Sequence, residues 1–196
     1  MEKIGYFEKR FANLQEGLNP YDKLEKIKIN FDDRNTVEER NDVIQLVCAG
    51  VILTKNNQVM VINKTKNVTG NTSPEKNKTL LYVGGHLDIL DFSKSNLETF
   101  TNGMKREILE ELSLTIENSN IKFPIITYTP FNEKSAKHIG VIFPVVIDSP
   151  FETTFTDGKC HFVEISKLTN IKNFESWSQI ILREIIQKNE EKLFLN

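Results

Sequence analysis

Residues 98 to 114 read ETFTNGMKREILEELSL, and this stretch limits what the chain can be more than any other. It sets four acids, Glu98, Glu107, Glu110 and Glu111, around one arginine, Arg106. On an α-helix Glu107, Glu110 and Glu111 stand at i, i+3 and i+4, so their carboxylates project from one side. Like charges at that spacing oppose the helix unless a cation neutralises them, and a hard divalent ion such as Mg²⁺ takes oxygen ligands of this kind. The opposite side is apolar. Ile108, Leu109 and Leu112, continued by Phe100 and Met104, predict one buried face.

Just upstream, Leu80 to His86 reads LLYVGGH, a short apolar run closed by two glycines, which predicts a strand ending in a tight loop. Gly84 and Gly85 let a ligand approach the backbone there, and with His86 and His138 they are candidate substrate-binding residues. Strand and helix together resemble the signature of Nudix hydrolases: a glycine, five residues, Glu, seven residues, Arg-Glu, an aliphatic, any residue, Glu-Glu, any residue, Gly, an aliphatic. Glu98, Arg106, Glu107, Ile108, Glu110, Glu111 and Leu114 fall on it in register. Two departures are visible. Ser113 stands where the signature has Gly, and twelve residues rather than five separate Gly85 from Glu98. A merely solvated charged face needs neither an Arg directly before the first Glu nor a glycine-closed strand ahead of it, which favours the catalytic reading.

The bulk numbers set the frame. At 196 residues the chain is expected to form a single domain spanning 1–196, with room for a sizeable core. A net charge of -2 gives no electrostatic case for nucleic acid or an anionic membrane as main partner. The charged start MEKIGYFEKRF carries no apolar signal segment, and no run approaches a membrane span, so a cytoplasmic location is expected. Cys48 and Cys160 read as buried, inert thiols.

Along the chain, Ile4, Phe7, Phe11 and Leu14 recur at helical spacing and predict an opening helix. Its Phe7 and Phe11 face suggests a homodimer. Lys26 to Phe31 alternates and predicts an edge strand, followed by a turn at residues 32–35. Residues 1–42 are thus read as an N-terminal extension of helix plus edge strand. Residues 43–53 and 58–63 predict a central strand and its partner, followed by a polar, exposed loop over 64–78. Residues 139–147 and 160–165 predict two more strands, the first at an edge or bulged because of Pro144. Phe174, Trp177, Ile181 and Ile185 predict a closing helix. Strands between helices give an α/β sandwich, and this order matches a Nudix-type α/β/α sandwich with a mixed β-sheet and a catalytic loop-helix.

A closer resemblance runs through Asp33-Arg34, Glu38, Glu39, Gln45, Gly84-Gly85-His86, His138-Ile139-Gly140-Val141 and Glu175-Ser176-Trp177-Ser178. It is to a bacterial subgroup of MutT-like proteins described as predicted phosphoesterases. The resemblance implies a metal-dependent hydrolase that cleaves a diphosphate linkage in a nucleoside diphosphate derivative, such as a nucleotide sugar, ADP-ribose or a dinucleotide. Mg²⁺ or Mn²⁺ would sit on Glu107, Glu110 and Glu111, with the Gly85 carbonyl as a further ligand and Arg106 paired to Glu98 to orient them. Glu107, Glu152 and Asp157 are alternative general bases. The rival is a nucleotide-sensing module of the same fold that binds without cutting. Tyr82, Phe92, Tyr128 and Phe131 are candidates for base stacking, and His161 reads as structural.

Overall fold

The computed structural model describes residues 2–64, 78–153, 158–168 and 173–186. Its strands are β1 (Lys3–Glu8), β2 (Gly17–Asn19), β3 (Asn30–Asp33), β4 (Val43–Thr54), β5 (Gln58–Lys64), β6 (Thr79–Leu80), β7 (Val83–His86), β8 (Ile125–Tyr128), β9 (His138–Ile147) and β10 (Gly158–Glu164). Its helices are α1 (Asp22–Glu25), α2 (Arg34–Glu39), α3 (Asn96–Leu112) and α4 (Ser176–Ile180), the last continued by a π-helical turn over Ile181–Ile186. The class is α/β, with a mixed and unclosed sheet. Most of the expected polar loop, residues 65–77, lies outside the described residues.

The chain forms two compact units. The first holds Met1–Ala49, Gly84–Glu107 and Pro124–Phe143. Here β1 pairs antiparallel with both β3 and the start of β4, and β8 lies antiparallel between β2 and β9. The second holds Gly50–Val83, Ile108–Phe123 and Pro144–Asn196. Here β5 is paired along its length with β10 and meets β4 across the turn at Lys55–Asn57, where Asn57 adopts φ +57°. In this unit Glu175 caps α4, accepting from the Trp177 and Ser178 N–H groups and from the Tyr82 hydroxyl. Much of the Glu-Ser-Trp-Ser motif is thereby accounted for as a buried cap, not as chemistry.

The N-terminal helix is not formed. Residues 3–8 are a strand, with a 3-10 turn over Lys9–Phe11. Because β1 has a strand on each side and is covered on both faces, Ile4, Tyr6 and Phe7 are all buried, and the apolar spacing that imitates a helix is that of a two-sided strand. Phe7 is buried and Phe11 exposed, so the shared face that suggested a dimer does not exist. The expected edge strand is displaced to Asn30–Asp33, and the expected turn is taken up by its end and by α2. Nor is β9 at an edge, since β8 pairs with Gly140–Ile142. Pro144 lies past that register, and its carbonyl accepts from the Lys122 N–H instead.

Helix α3 keeps its apolar stripe: Phe100, Met104, Ile108 and Leu112 are buried. Leu109 was expected with them but is 51% exposed, one residue round the helix from Ile108. The helix ends at Ser113, whose N–H bonds the Leu109 carbonyl and whose φ is +53°. That left-handed C-terminal position is where glycine is free of the Cβ penalty, which explains why the signature has Gly there. Ser113→Gly is therefore expected to stabilise the fold by up to about 1 kcal/mol, read as a higher urea midpoint at constant m-value; an unchanged or lower midpoint would refute this account.

Candidate active site

The first unit brings the glycine-closed strand end against α3 at Arg106 and Glu107. A Cβ on Gly84 would collide with the Cys48 carbonyl oxygen and Ala49, so β7 lies directly on β4 only because residue 84 is glycine. At Gly85 the reason is different. A Cβ there would stand 2.5 Å from both carboxylate oxygens of Glu107, so the glycine is the cradle in which that carboxylate rests.

Arg106 fixes this arrangement. Its Nη1 donates to Glu107 Oε1 at 2.8 Å and its Nη2 to the His86 carbonyl at 2.9 Å. Its Nε and Nη2 also donate to the two oxygens of Asp91, each at 3.0 Å. Burial opposes the charge on Arg106, yet the hydrogen bonds and charges of Asp91 and Glu107 hold its pKa above the ordinary arginine value. Asp91 is 3% exposed and ends a 3-10 turn over Ile89–Asp91. There it accepts from the Asp88 N–H, while Asp88 accepts from the Leu90 N–H. Two reciprocal caps thus hold the acid rigidly beneath the guanidinium.

Asp91 is the residue that sequence reasoning missed, and it receives the guanidinium that Glu98 was expected to pair with. Glu98 is exposed on the first turn of α3, eight residues or about 12 Å of helix before Arg106. Its N–H bonds Ser95 Oγ, so Ser95 and Glu98 hold the positions of a capping box. The signal was present. Five residues after Gly85 the chain reaches Asp91, the spacing the signature gives between its glycine and its first acid, so the seven extra residues fall between Asp91 and Arg106.

The remaining candidates are placed as follows. Glu110 is exposed and Glu111 half-buried on the same helix as Glu107. Glu152 is exposed, and Asp157 lies outside the described residues. Tyr82 and Tyr128 are buried, the first beside Trp177, whereas Phe92 and Phe131 are exposed and Phe92 meets Phe31 edge-on. His161 is exposed on β10 and not part of a core.

His86 and His138 come together, their ring centroids 5.4 Å apart. His86 Nε2 donates to Gln45 Oε1 at 3.1 Å, and His138 Nδ1 donates to the Lys134 carbonyl at 2.7 Å. Burial, then the neighbouring His138, Arg34 and Lys134, push the His86 pKa down to about 3, and burial also lowers that of His138.

As placed, no group of three or more His, Cys, Asp or Glu side chains that could hold a metal ion forms among the described residues. A Mg²⁺ ion does not need one, because it keeps several waters and takes one or two carboxylates together with substrate phosphates. In the first unit Glu107, seated on Gly85, is a carboxylate of the kind such an ion takes.

A glycine-closed strand, a carboxylate-bearing helix and this sheet define the Nudix fold. No model of a sequence family matches the chain, and no curated protein sequence does. Solved structures do. The chain is similar to Tm1382, a proposed Nudix hydrolase, at TM-score 0.73 and 20% identity over 92% of this chain and 96% of that one. It is also similar to the MutT protein from Methanosarcina mazei Go1, at TM-score 0.54 and 14% identity over 76% and 96% of the two chains. A third is the MutT Nudix hydrolase from Burkholderia pseudomallei, at TM-score 0.51 and 14% identity over 72% and 97%. At these identities the likeness is one of fold. Among the described residues no helix is long and apolar enough to cross a membrane.

Two outcomes test the site. Asp91→Ala is expected to lower stability by about 2–4 kcal/mol, because it takes the two-pronged carboxylate partner from a half-buried guanidinium, and Glu98→Ala by no more than about 1. Equal losses in urea unfolding would return Glu98 to the role of anchor. The second concerns acid. Folded His86 takes its proton near pH 3, while an unfolded histidine takes it near 6.5, so between these values the unfolded state binds more protons and stability falls as pH falls. His86→Gln should flatten that fall between about pH 6.5 and 3, and an unaltered profile would contradict the burial of the ring.

Proposed function

We propose that the chain is a metal-dependent hydrolase that cleaves the diphosphate linkage of a nucleoside diphosphate derivative by attack of water at phosphorus. The observation that carries this reading is the Asp91–Arg106–Glu107 lock, which holds a helix carboxylate on the glycine at the end of β7. A plain charged surface has no use for a buried acid whose main task is to aim an arginine.

In this reading Glu107, Glu110 and Glu111 would hold Mg²⁺ or Mn²⁺, which would supply charge neutralisation of the diphosphate and activation of a bound water. The chain's own residues do the positioning. Arg106 holds the Glu107 carboxylate in one orientation and ties it to the strand through the His86 carbonyl. Gly85 leaves room for the Glu107 carboxylate against the strand, where any side chain would displace it. The general base is an acid that the metal set does not consume. Glu152 and Asp157 are candidates, and Glu107, engaged by Arg106 through Oε1, is the less suited of the three.

The test incubates the protein and its Glu111→Gln variant with Mg²⁺ or Mn²⁺ and a panel of nucleoside diphosphate derivatives, reading nucleoside monophosphate release. Wild-type turnover reduced at least about 100-fold in Glu111→Gln is expected. Arg106→Ala should weaken Mn²⁺ binding by about 10- to 100-fold without abolishing it. Absence of turnover with every compound, while one of them raises the melting temperature, would replace the hydrolase with a nucleotide-binding module.

A further inference from the structure

Gln45, His86 and His138 form a polar floor within the first unit that the proposed chemistry does not use. Gln45 is 1% exposed, on β4, and its carbonyl oxygen takes the His86 Nε2 proton. No group among the described residues accepts from its amide N–H₂. With one ring N–H spent on Gln45 Oε1, the neutral His86 carries a lone pair at Nδ1. The His138 Nδ1 proton goes to the Lys134 carbonyl, which leaves a lone pair at Nε2, and neither lone pair has a donor among the described residues. The floor therefore offers two acceptors and one double donor, side by side.

The ligand follows from that inventory. Phosphate oxygens are acceptors and would be repelled by both lone pairs. Arg34 and Lys134 stand near these rings. The same two cations oppose a metal ion on the rings, and Arg34 is itself engaged by Glu2 at 3.1 Å and Glu38 at 2.8 Å. Neighbouring hydroxyls fit: each gives a proton to one imidazole and takes one from the amide. Position fits as well, since His86 follows the glycine that cradles Glu107, and its carbonyl is bound by Arg106.

We propose that Gln45, His86 and His138 are a subsite for the hydroxyl groups of a sugar attached to the substrate's diphosphate. The inference rests on the hydrolase reading for the diphosphate, but not for the sugar. It makes the substrate class a nucleoside diphosphate sugar and sets aside a nucleoside triphosphate.

Calorimetry in EDTA, where neither metal nor turnover enters, would compare ADP-ribose with ADP and UDP-glucose with UDP. At least one sugar-bearing compound is expected to bind about ten-fold or more tighter than its sugar-free partner, the effect of satisfying buried polar groups. His138→Phe and Gln45→Met, each checked for cooperative thermal unfolding, should erase that advantage while leaving ADP and UDP binding unchanged. The subsite is overturned if both pairs bind alike in the wild type or if the advantage survives in both variants. It is equally overturned if inorganic phosphate or Zn²⁺ alone shifts the His138 ring resonances. Failed turnover in the hydrolase assay with the sugar advantage intact would sink the hydrolase and leave the subsite standing.

Discussion

Arg106 on Asp91 is the interaction on which the candidate site depends. A guanidinium is a rigid fork, and Asp91 receives it through two nitrogens, so the arginine's position is set in both distance and plane. Everything else is referred to that fork. Glu107 is oriented by its third nitrogen, and the end of β7 is drawn in by the His86 carbonyl. The buried acid costs desolvation, which bonds from Arg106 and the Asp88 N–H offset, and the gain is geometric. The carboxylate of Glu107 is kept from wandering over its own helix by a fixed arginine.

The glycines complete the arrangement by subtraction. Gly84 removes a side chain so that two strands touch, and Gly85 removes one so that a carboxylate touches a strand. Beside them the His86 and His138 rings are held together near Arg34 and Lys134, and burial lowers the pKa of both.

Much of this was legible in the sequence. The carboxylates at i, i+3 and i+4, the apolar stripe of α3, and the long runs of β4 and β9 depend on local periodicity, which survives folding. The failures were non-local. β1 imitates a helix because it is covered on both faces, and its partners β3 and β4 lie 24 or more residues away. Asp91 was overlooked because the acid was sought as a glutamate in helical register, whereas the fold takes an aspartate from the 3-10 turn ahead of the helix. The pairing of His86 with His138 joins residues far apart in the chain, and only the sheet brings them together.

The seven extra residues ahead of Arg106 have a consequence of their own. Residues 96–105 are all helical, so part of the added length extends α3 itself. Seven residues advance a helix by nearly two whole turns, about 20° short of exact phase. The added segment can therefore lengthen the helix by some 10 Å without rotating Arg106 and Glu107 away from β7. An extension of five residues, about 140° out of phase, would have turned Glu107 away from Gly85. The angular period of the helix, not the size of the insertion, sets which lengths such a site tolerates.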